Sequence, residues 1–456
     1  MLKGFVKRFT KEAKSTPKNL QPCIIPRAEH SISRKAISAH ALKVLYRLHD
    51  AGFGAYLVGG CVRDLLLGEH PKDFDIATDA HPEEIRRLFK NSRLIGKRFR
   101  LAHVFFGQQI IEVATFRTHH ENAEEEQHAK MHKGMIVRDN VYGPIEDDVY
   151  RRDFSINALY YNIADFSIID YTNGLADIKA RLVRMIGDPE KRFREDPVRL
   201  LRAIRFAGKL KLNISPETEA PIISMSYLLQ QVAPARLFQE VLKLFASGAL
   251  FDTFHLLQKY KLFAQLFSQT AAALQHPIAT KLIELSLKNT DTRSKNDKTV
   301  SPAFLFAVFL WHPIATQAIR EEAEGFPMYV AFERAIHIVL KKQTEQLAIP
   351  RTLQVTIRDI CFLQHRFSQR FSTRPFRVLQ HPRFRAAYDL LLLRSEAGEP
   401  VKELSEWWTQ FSAAEPLERE HMLKNVGSAA RPGKKRRKPR KQNKKILPQT
   451  NFSHNE

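Results

Sequence analysis

The sequence predicts an α+β protein, with a small mixed sheet carrying helices in its N-terminal half and helices alone after it. Three observations predict it. Up to about residue 186, short apolar runs bounded by glycine alternate with amphipathic segments. From about Gly187 to about Phe411, leucine and phenylalanine recur at helical spacing. The 456 residues are 44% hydrophobic, with a mean hydropathy of -0.33, enough for about three folded domains.

The elements follow in order. Residues 1–30 read as a basic arm, because Leu2, Phe5, Val6 and Phe9 are spaced among Lys3, Lys7, Arg8 and Lys11 without the apolar run of a signal peptide. That spacing also suits weak docking on a membrane surface. Residues 31–52 form an amphipathic helix, capped by Ser31 or Ser33 and ended by Gly52. "AYLVGGCVRDLLLG" gives a strand, a double glycine and a helix; "DFDIAT" gives a strand, and Pro82 to Phe89 a helix. "LAHVFFGQQIIEVATFR" gives two strands hinged at Gly107. "THHENAEEEQHAKMHKGM" reads as a loop whose histidines, 119, 120, 128 and 132, have no metal-binding spacing. Head (31–186), neck (187–250) and body (251–420) are the expected divisions. "KNTDTRSKNDKT", from Lys288, is a surface loop, "PAFLFAVFLW", from Pro302, a buried core helix, and residues 421–456 a disordered basic tail.

The net charge of +23 points to a polyanionic partner. Cys23, Cys61 and Cys361 are few and far apart, which excludes a disulfide framework and suits a reducing cytoplasm.

Chemistry concentrates at "KDFDIATDA". In a strand, Phe74 and Ile76 point into a core while Asp73 and Asp75 share the other face, where they repel unless a cation lies between them. Gly59 and Gly60 let backbone approach a ligand, and the helix behind them offers free N–H groups to phosphate, with Arg63 adding charge. Together they suggest a triphosphate held through divalent metal. In "REDPVRLLRAIRFA", Asp196 and Pro197 start a helix, and Asp196, Arg199, Arg202 and Arg205 recur every three residues as one polar ridge. Asp196 with Arg199 can pair a base edge, while Arg202 and Arg205 face the phosphates.

"LVGGCVRDLLLG", "DFDIATDA", "RRDFSINALYY" and "REDPVRLLRAIRFA" occur in the order found in the class II nucleotidyltransferases, which comprise CCA-adding enzymes and bacterial poly(A) polymerases. The resemblance spans about residues 55–208. It implies a DNA polymerase beta-like head followed by helical neck, body and leg, and in-line attack of an RNA 3′-hydroxyl on the α-phosphate of a nucleotide. Asp73 and Asp75 then bind Mg²⁺ or Mn²⁺, with Asp153 as third catalytic carboxylate and Glu112 as second choice. Gly59, Gly60, Arg63, Arg151, Arg152 and Asn157 join the Asp196 ridge in binding the nucleotide.

Adenine and cytosine present the same amine-and-acceptor order, so an Asp/Arg pair reads both. "LIGKRFRLAHV" instead resembles the segment that separates bacterial poly(A) polymerases from CCA-adding enzymes, with Lys97, Arg98 and Arg100 in the basic positions and His103 near its end. The tail, with Lys434, Lys435, Arg436 and Arg437, suits sequence-independent RNA phosphate contacts. The expectation is a cytoplasmic, monomeric ATP-dependent polyadenylating enzyme acting on RNA 3′ ends and serving RNA decay, with decay proteins as candidate partners. The alternatives are a CCA-adding enzyme and a non-catalytic RNA-binding protein; loss of Asp73 or Asp75 would mark the latter, and both are present.

Overall fold

The computed structural model describes residues 21–96, 100–118, 129–132, 135–139 and 141–429, the side chains of 129–139 and 425–429 excepted. The chain divides into a unit of residues 1–358 and a second of residues 359–456.

The first unit begins with an eight-stranded sheet. Its strands are β1 (Cys23–Ile25), β2 (Ala55–Val58), β3 (Asp75–Thr78), β4 (Ser92–Ile95), β5 (Leu101–Phe106), β6 (Gln109–Thr115), β9 (Leu159–Asn162) and β10 (Ile168–Asp170). Between β6 and β9, β7 (Ala129–His132) and β8 (Met135–Asp139) make a separate antiparallel ribbon. The large sheet runs β1-β10-β9-β2-β3-β6-β5-β4. Only β3 and β6 pair in parallel there; the other neighbours are antiparallel. Helices α1 (Ala39–Asp50), α2 (Gly60–Leu66) and α3 (Pro82–Leu88) lie among the early strands, and α4 (Ile145–Arg151) and α5 (Gly174–Lys179) flank β9 and β10.

Period-two alternation drives the sheet. Leu57 and Val58, Ile76 and Ala77, Ala102 and Val104, and Ile111 and Val113 are buried, while Asp73, Asp75 and Glu112 stay exposed. On the α1 stripe, Ala41, Val44, Leu45 and Leu48 are buried as expected. Gly107, with φ of 62°, turns β5 into β6.

Strand β11 (Leu182–Val183) pairs in parallel with β12 (Asn213–Ile214), and between them α6 (Pro189–Glu195) leads into α7 (Val198–Leu210). The remainder of this unit is helical. Phe245, Phe263, Phe267, Phe306 and Phe309 pack ring against ring at centroid distances of 5.0–5.9 Å, mostly edge-to-face, the preferred geometry of aromatic pairs. The helix Pro302–Ala323 is long and apolar enough to cross a membrane. Its Leu305, Phe306, Phe309 and Leu310 are nevertheless buried, as expected of a core helix. In the second unit Trp408 is fully buried and its indole N–H donates to the Phe367 carbonyl at 3.0 Å.

Five sequence expectations are corrected. The arm does not extend to residue 30: Cys23–Ile25 adds an edge strand to β10, and His30 Nε2 lies 2.8 Å from the Phe166 carbonyl. The first helix starts at Ala39, because Ser33 caps a single 3₁₀ turn over Arg34–Ala36 by accepting from Lys35 N–H. Part of the histidine-rich stretch forms β7 and β8, and residues 119–128 lie outside the described residues. Residues 288–295 of the polar stretch are the last turns of the helix Pro277–Lys295, and only residues 296–299 lie in the connection after it. Asp291 there accepts from the backbone N–H groups of Leu250 and Phe251 at 2.7 and 2.9 Å, capping the helix Leu250–Lys259, so its polarity has a structural use. Finally, helix Pro416–Ala429 runs past the expected start of the tail at 421.

Gly208 lets α7 touch the helix Leu250–Lys259. A Cβ there would collide with the Thr253 hydroxyl and lie 3.2 Å from Thr253 Cα. Gly208→Val is therefore expected to lower stability by about 1–3 kcal/mol, read as a lower midpoint in chemical denaturation. An unchanged midpoint would show that the helices part freely.

Candidate active site

The site is built where β2 ends. Gly59 holds φ of 77°, a conformation glycine adopts freely, and turns the chain into α2. A side chain on Gly59 would approach Arg152 Nη1 to 3.6 Å, and one on Gly60 would approach Arg63 Nη2 to 3.4 Å. Beside this turn, Phe74 and Ile76 are buried while Asp73 and Asp75 are exposed, as alternation requires. The parallel register sets Asp75 directly beside Glu112 on the next strand, so their side chains share a face. Desolvation and the neighbouring charges of Glu112 and Asp73 push the Asp75 carboxyl up to about 6, against the pull of Arg152.

Most buried acids nearby are neutralised by the chain itself. Asp148 takes both Arg151 and Arg152, at 2.6 and 2.9 Å, together with the Tyr160 hydroxyl and the Arg117 N–H. Although burial opposes it, those arginines hold the Asp148 carboxyl far below the usual carboxylate range. Arg192 donates to the carbonyls of Arg151 and Arg152 at 2.8 and 2.5 Å and pairs with Glu195 at 2.8 Å. Glu195 also meets Arg199 at 3.2 Å. By contrast, among the described residues Asp73 and Asp75 have no salt bridge and their carboxylates no hydrogen bond.

Asp153, the expected third carboxylate, lines the same cavity as Asp73 and Asp75 and has partners of its own. Its oxygens are taken up by Arg202 (Nη2 at 2.5 Å, Nε at 2.6 Å), the Asn157 amide (3.2 Å) and the Phe154 N–H (2.8 Å). Asp153 therefore also ties α7 to the head, while Glu112 stands beside Asp75 in register and is touched by His103 at 3.3 Å. Arg63, expected at the phosphates, is buried and braced by Asp64 at 2.6 Å and by Asn157 at 2.5 Å.

The ridge on α7 forms as the spacing predicts. Asp196, Arg199, Arg202 and Arg205 all line one cavity of about 670 Å³, together with Gly59, Gly60, Asp73 and Asp75. The helix starts at Val198, one residue later than expected after Asp196 and Pro197, and Asp196 Oδ1 accepts from Val198 N–H at 3.3 Å. The other Asp196 oxygen meets Arg236 at 2.6 Å. Arg205 stacks on Phe206 with its guanidinium carbon 4.5 Å from the ring centre. Its Nε is buried without a partner, and burial beside Arg202 lowers its pKa to about 10.

Sequence reading missed Asp148, Arg192, Glu195 and Arg236. For Asp148 a signal existed: it precedes Arg151 and Arg152 by three and four residues, the spacing of helical ion pairs. Arg236 lies forty residues from Asp196, and nothing local links them. Of the expected RNA contacts, Arg100 pairs with Glu83 at 2.8 Å on the surface. Lys97, Arg98, Lys434, Lys435, Arg436 and Arg437 lie outside the described residues.

Among the described residues, no group of three or more His, Cys, Asp or Glu side chains is arranged to hold a metal by itself. Two unpartnered carboxylates open to a cavity nonetheless fit Mg²⁺, which takes one or two carboxylates and completes its shell with phosphate and water oxygens.

An eight-stranded mixed sheet with a glycine turn, a paired-carboxylate strand and helices following it defines a nucleotidyltransferase head. Residues 55–184 match the family model "Poly A polymerase head domain". Residues 211–274 match "Probable RNA and SrmB- binding site of polymerase A", and residues 324–442 "Polymerase A arginine-rich C-terminus". The chain is 49% identical over 427 residues to poly(A) polymerase I of Salmonella typhimurium, covering 92% of both chains. It is 44% identical to poly(A) polymerase I of Haemophilus influenzae over 92% of this chain and 94% of that one. Similarity to the CCA-adding enzyme of Lactobacillus helveticus is 41% over 204 residues, covering 45% of this chain and 49% of that one. Among solved structures, the Bacillus stearothermophilus CCA-adding enzyme in complex with CTP aligns with a TM-score of 0.55 and 25% identity, over 81% of this chain and 80% of that chain. The chain belongs to the poly(A) polymerase I family of nucleotidyltransferases.

Folding lowers the pKa of Asp153 from 3.8 to about 2, because Arg202 and its hydrogen-bond donors outweigh desolvation. The stability this supplies is complete above about pH 4 and is lost as pH falls through about 2. Asp153→Asn is expected to flatten the acid limb of a stability–pH curve between those values; an unaltered limb would show that the Asp153–Arg202 pair contributes nothing.

Proposed function

We propose that this chain adds AMP from ATP to RNA 3′ ends without a template, releasing pyrophosphate. One observation carries the choice of product: similarity runs along 92% of the chain with relatives named poly(A) polymerase I, but along 45% of it with the CCA-adding enzyme of Lactobacillus helveticus.

Each residue has a task in this reading. Asp73 and Asp75 hold the divalent cation, Mg²⁺ or Mn²⁺, and Glu112 adds negative charge beside Asp75. The cation, when bound, polarises the attacking hydroxyl and the α-phosphate and offsets charge on the leaving oxygens. The Gly59–Gly60 turn lets backbone come close to the triphosphate. Arg205, which makes no ion pair among the described residues and whose Nε has no partner, faces the phosphate charge. Asp196 accepts from the adenine amine, while Arg199 donates to the ring nitrogen. Arg151, Arg152 and Asn157 act at one remove, fixing the wall of the cavity through Asp148, Arg63 and Asp153.

Neither Asp196 nor Arg199 separates adenine from cytosine, so the choice of base lies in shape around them and in the β4–β5 segment. The buried thiols Cys61 and Cys361, and the exposed Cys23, suit a reducing cytoplasm. The tails serve RNA turnover in this proposal, with decay proteins as candidate partners and a monomer as the working form. Membrane contact through residues 1–20 falls outside the described residues.

Given RNA with each nucleotide alone, the protein should extend it into a long ladder with ATP and add little with CTP. A product from ATP and CTP on truncated tRNA that stops after CCA would replace this reading with the CCA-adding one. Asp75→Asn should lower the rate on the order of 10³-fold or more, the several kcal/mol expected of metal charge stabilisation, with RNA affinity unchanged. Chelation by EDTA should abolish addition and added Mg²⁺ restore it; turnover that persists in EDTA would remove the metal from the scheme.

A further inference from the structure

A second cavity of about 730 Å³ lies against the same two carboxylates. Asp73, Asp75 and Gly60 line both cavities, so the pair forms their common wall. The second cavity shares none of the base-reading ridge. Its other charged lining comes mainly from Lys72, Arg181, Lys209 and Lys211, with Asp64 already held by Arg63 and Glu69 as the remaining acid. Lys209 sits on the last turn of α7, and Lys211 ends that helix in a left-handed conformation with φ of 53°. Arg181 donates to the carbonyls of Leu210 and Lys211 at 2.9 and 3.0 Å, fixing the helix end and the lysines on it. Among the described residues Lys72, Lys209 and Lys211 have no ion-pair partner.

Cations left unneutralised around a concave surface favour a polyanion. In-line displacement then says which one. The nucleophile must arrive on the side of the α-phosphate opposite the leaving pyrophosphate, and the triphosphate cradle and base ridge occupy the first cavity.

We infer that the second cavity seats the 3′-terminal nucleotides of the RNA acceptor, with Lys72, Lys209 and Lys211 on its phosphates. This rests on the transferase reading above. The lysines contact only backbone charge, so acceptance is independent of the terminal base, as repeated addition to a changing end requires. The acceptor hydroxyl reaches the carboxylate pair from this side while ATP enters from the other.

The test is equilibrium binding of an RNA hexamer without ATP, which stands whether or not the protein adds AMP. In Lys209→Gln/Lys211→Asn, where Asn tolerates the left-handed position, hexamer affinity should fall roughly tenfold at 0.1 M salt. The slope of log affinity against log salt should flatten by about 1.4, about 0.7 per lost contact. Lys209→Arg should retain affinity, and ATP binding should not change. A hexamer carrying a photoreactive base at its 3′ end should label peptides containing residues 72 or 209–211. Unchanged hexamer affinity, labelling elsewhere, or a loss confined to pyrophosphate binding would overturn the assignment. Wild-type protein that binds hexamer and ATP yet adds no AMP would instead overturn the transferase reading alone.

Discussion

Unbalanced negative charge at Asp73 and Asp75 is the constraint around which the head is arranged. Two carboxylates on one strand face, with a third in register on the next strand, raise the energy of the apoprotein unless a cation joins them. The surrounding arginines could have quenched that charge, but most are already committed, Arg205 excepted. Arg151 and Arg152 serve Asp148, Arg63 serves Asp64, and Arg202 serves Asp153. Internal pairing thus keeps a dense cluster of guanidinium groups from collapsing onto the two acids.

That arrangement explains why α7 matters beyond its ridge. Arg202 reaches Asp153, just past the end of α4, Arg199 shares Glu195 with Arg192, and Arg192 grips the backbone of Arg151 and Arg152. The helix that carries the polar ridge is in this way bolted to the segment that shapes the cavity. Gly208 lets the same helix press on its neighbour from the opposite side. Displacing α7 would disturb recognition and chemistry together.

Much of this was legible in the sequence because its signals are local. Strand alternation placed Asp73 and Asp75 on one face, a glycine pair marked the turn, and three-residue spacing put Asp196, Arg199, Arg202 and Arg205 along one cavity. What was not legible depends on pairing across long separations. Asp153 was read from its motif, but its partner Arg202, forty-nine residues on, is announced by nothing local. Glu112 was expected on a strand neighbouring the pair, and the parallel register of β3 with β6 sets it beside Asp75. The polar run at 288 looked like a loop since the benefit of Asp291 lies on another helix.

The lone parallel pairing in the large sheet, β3 with β6, has a mechanical consequence. Parallel neighbours need a connection that returns to the starting edge, and here α3 and the β4–β5 hairpin make that return. The hairpin lies at the sheet's end, beyond β6, and β5 sets His103 opposite Glu112 and 3.3 Å from it. The segment credited with substrate choice is therefore wired to the acid beside Asp75, so a change in its charge is felt at the carboxylates while its outer strand, β4, stays clear of them.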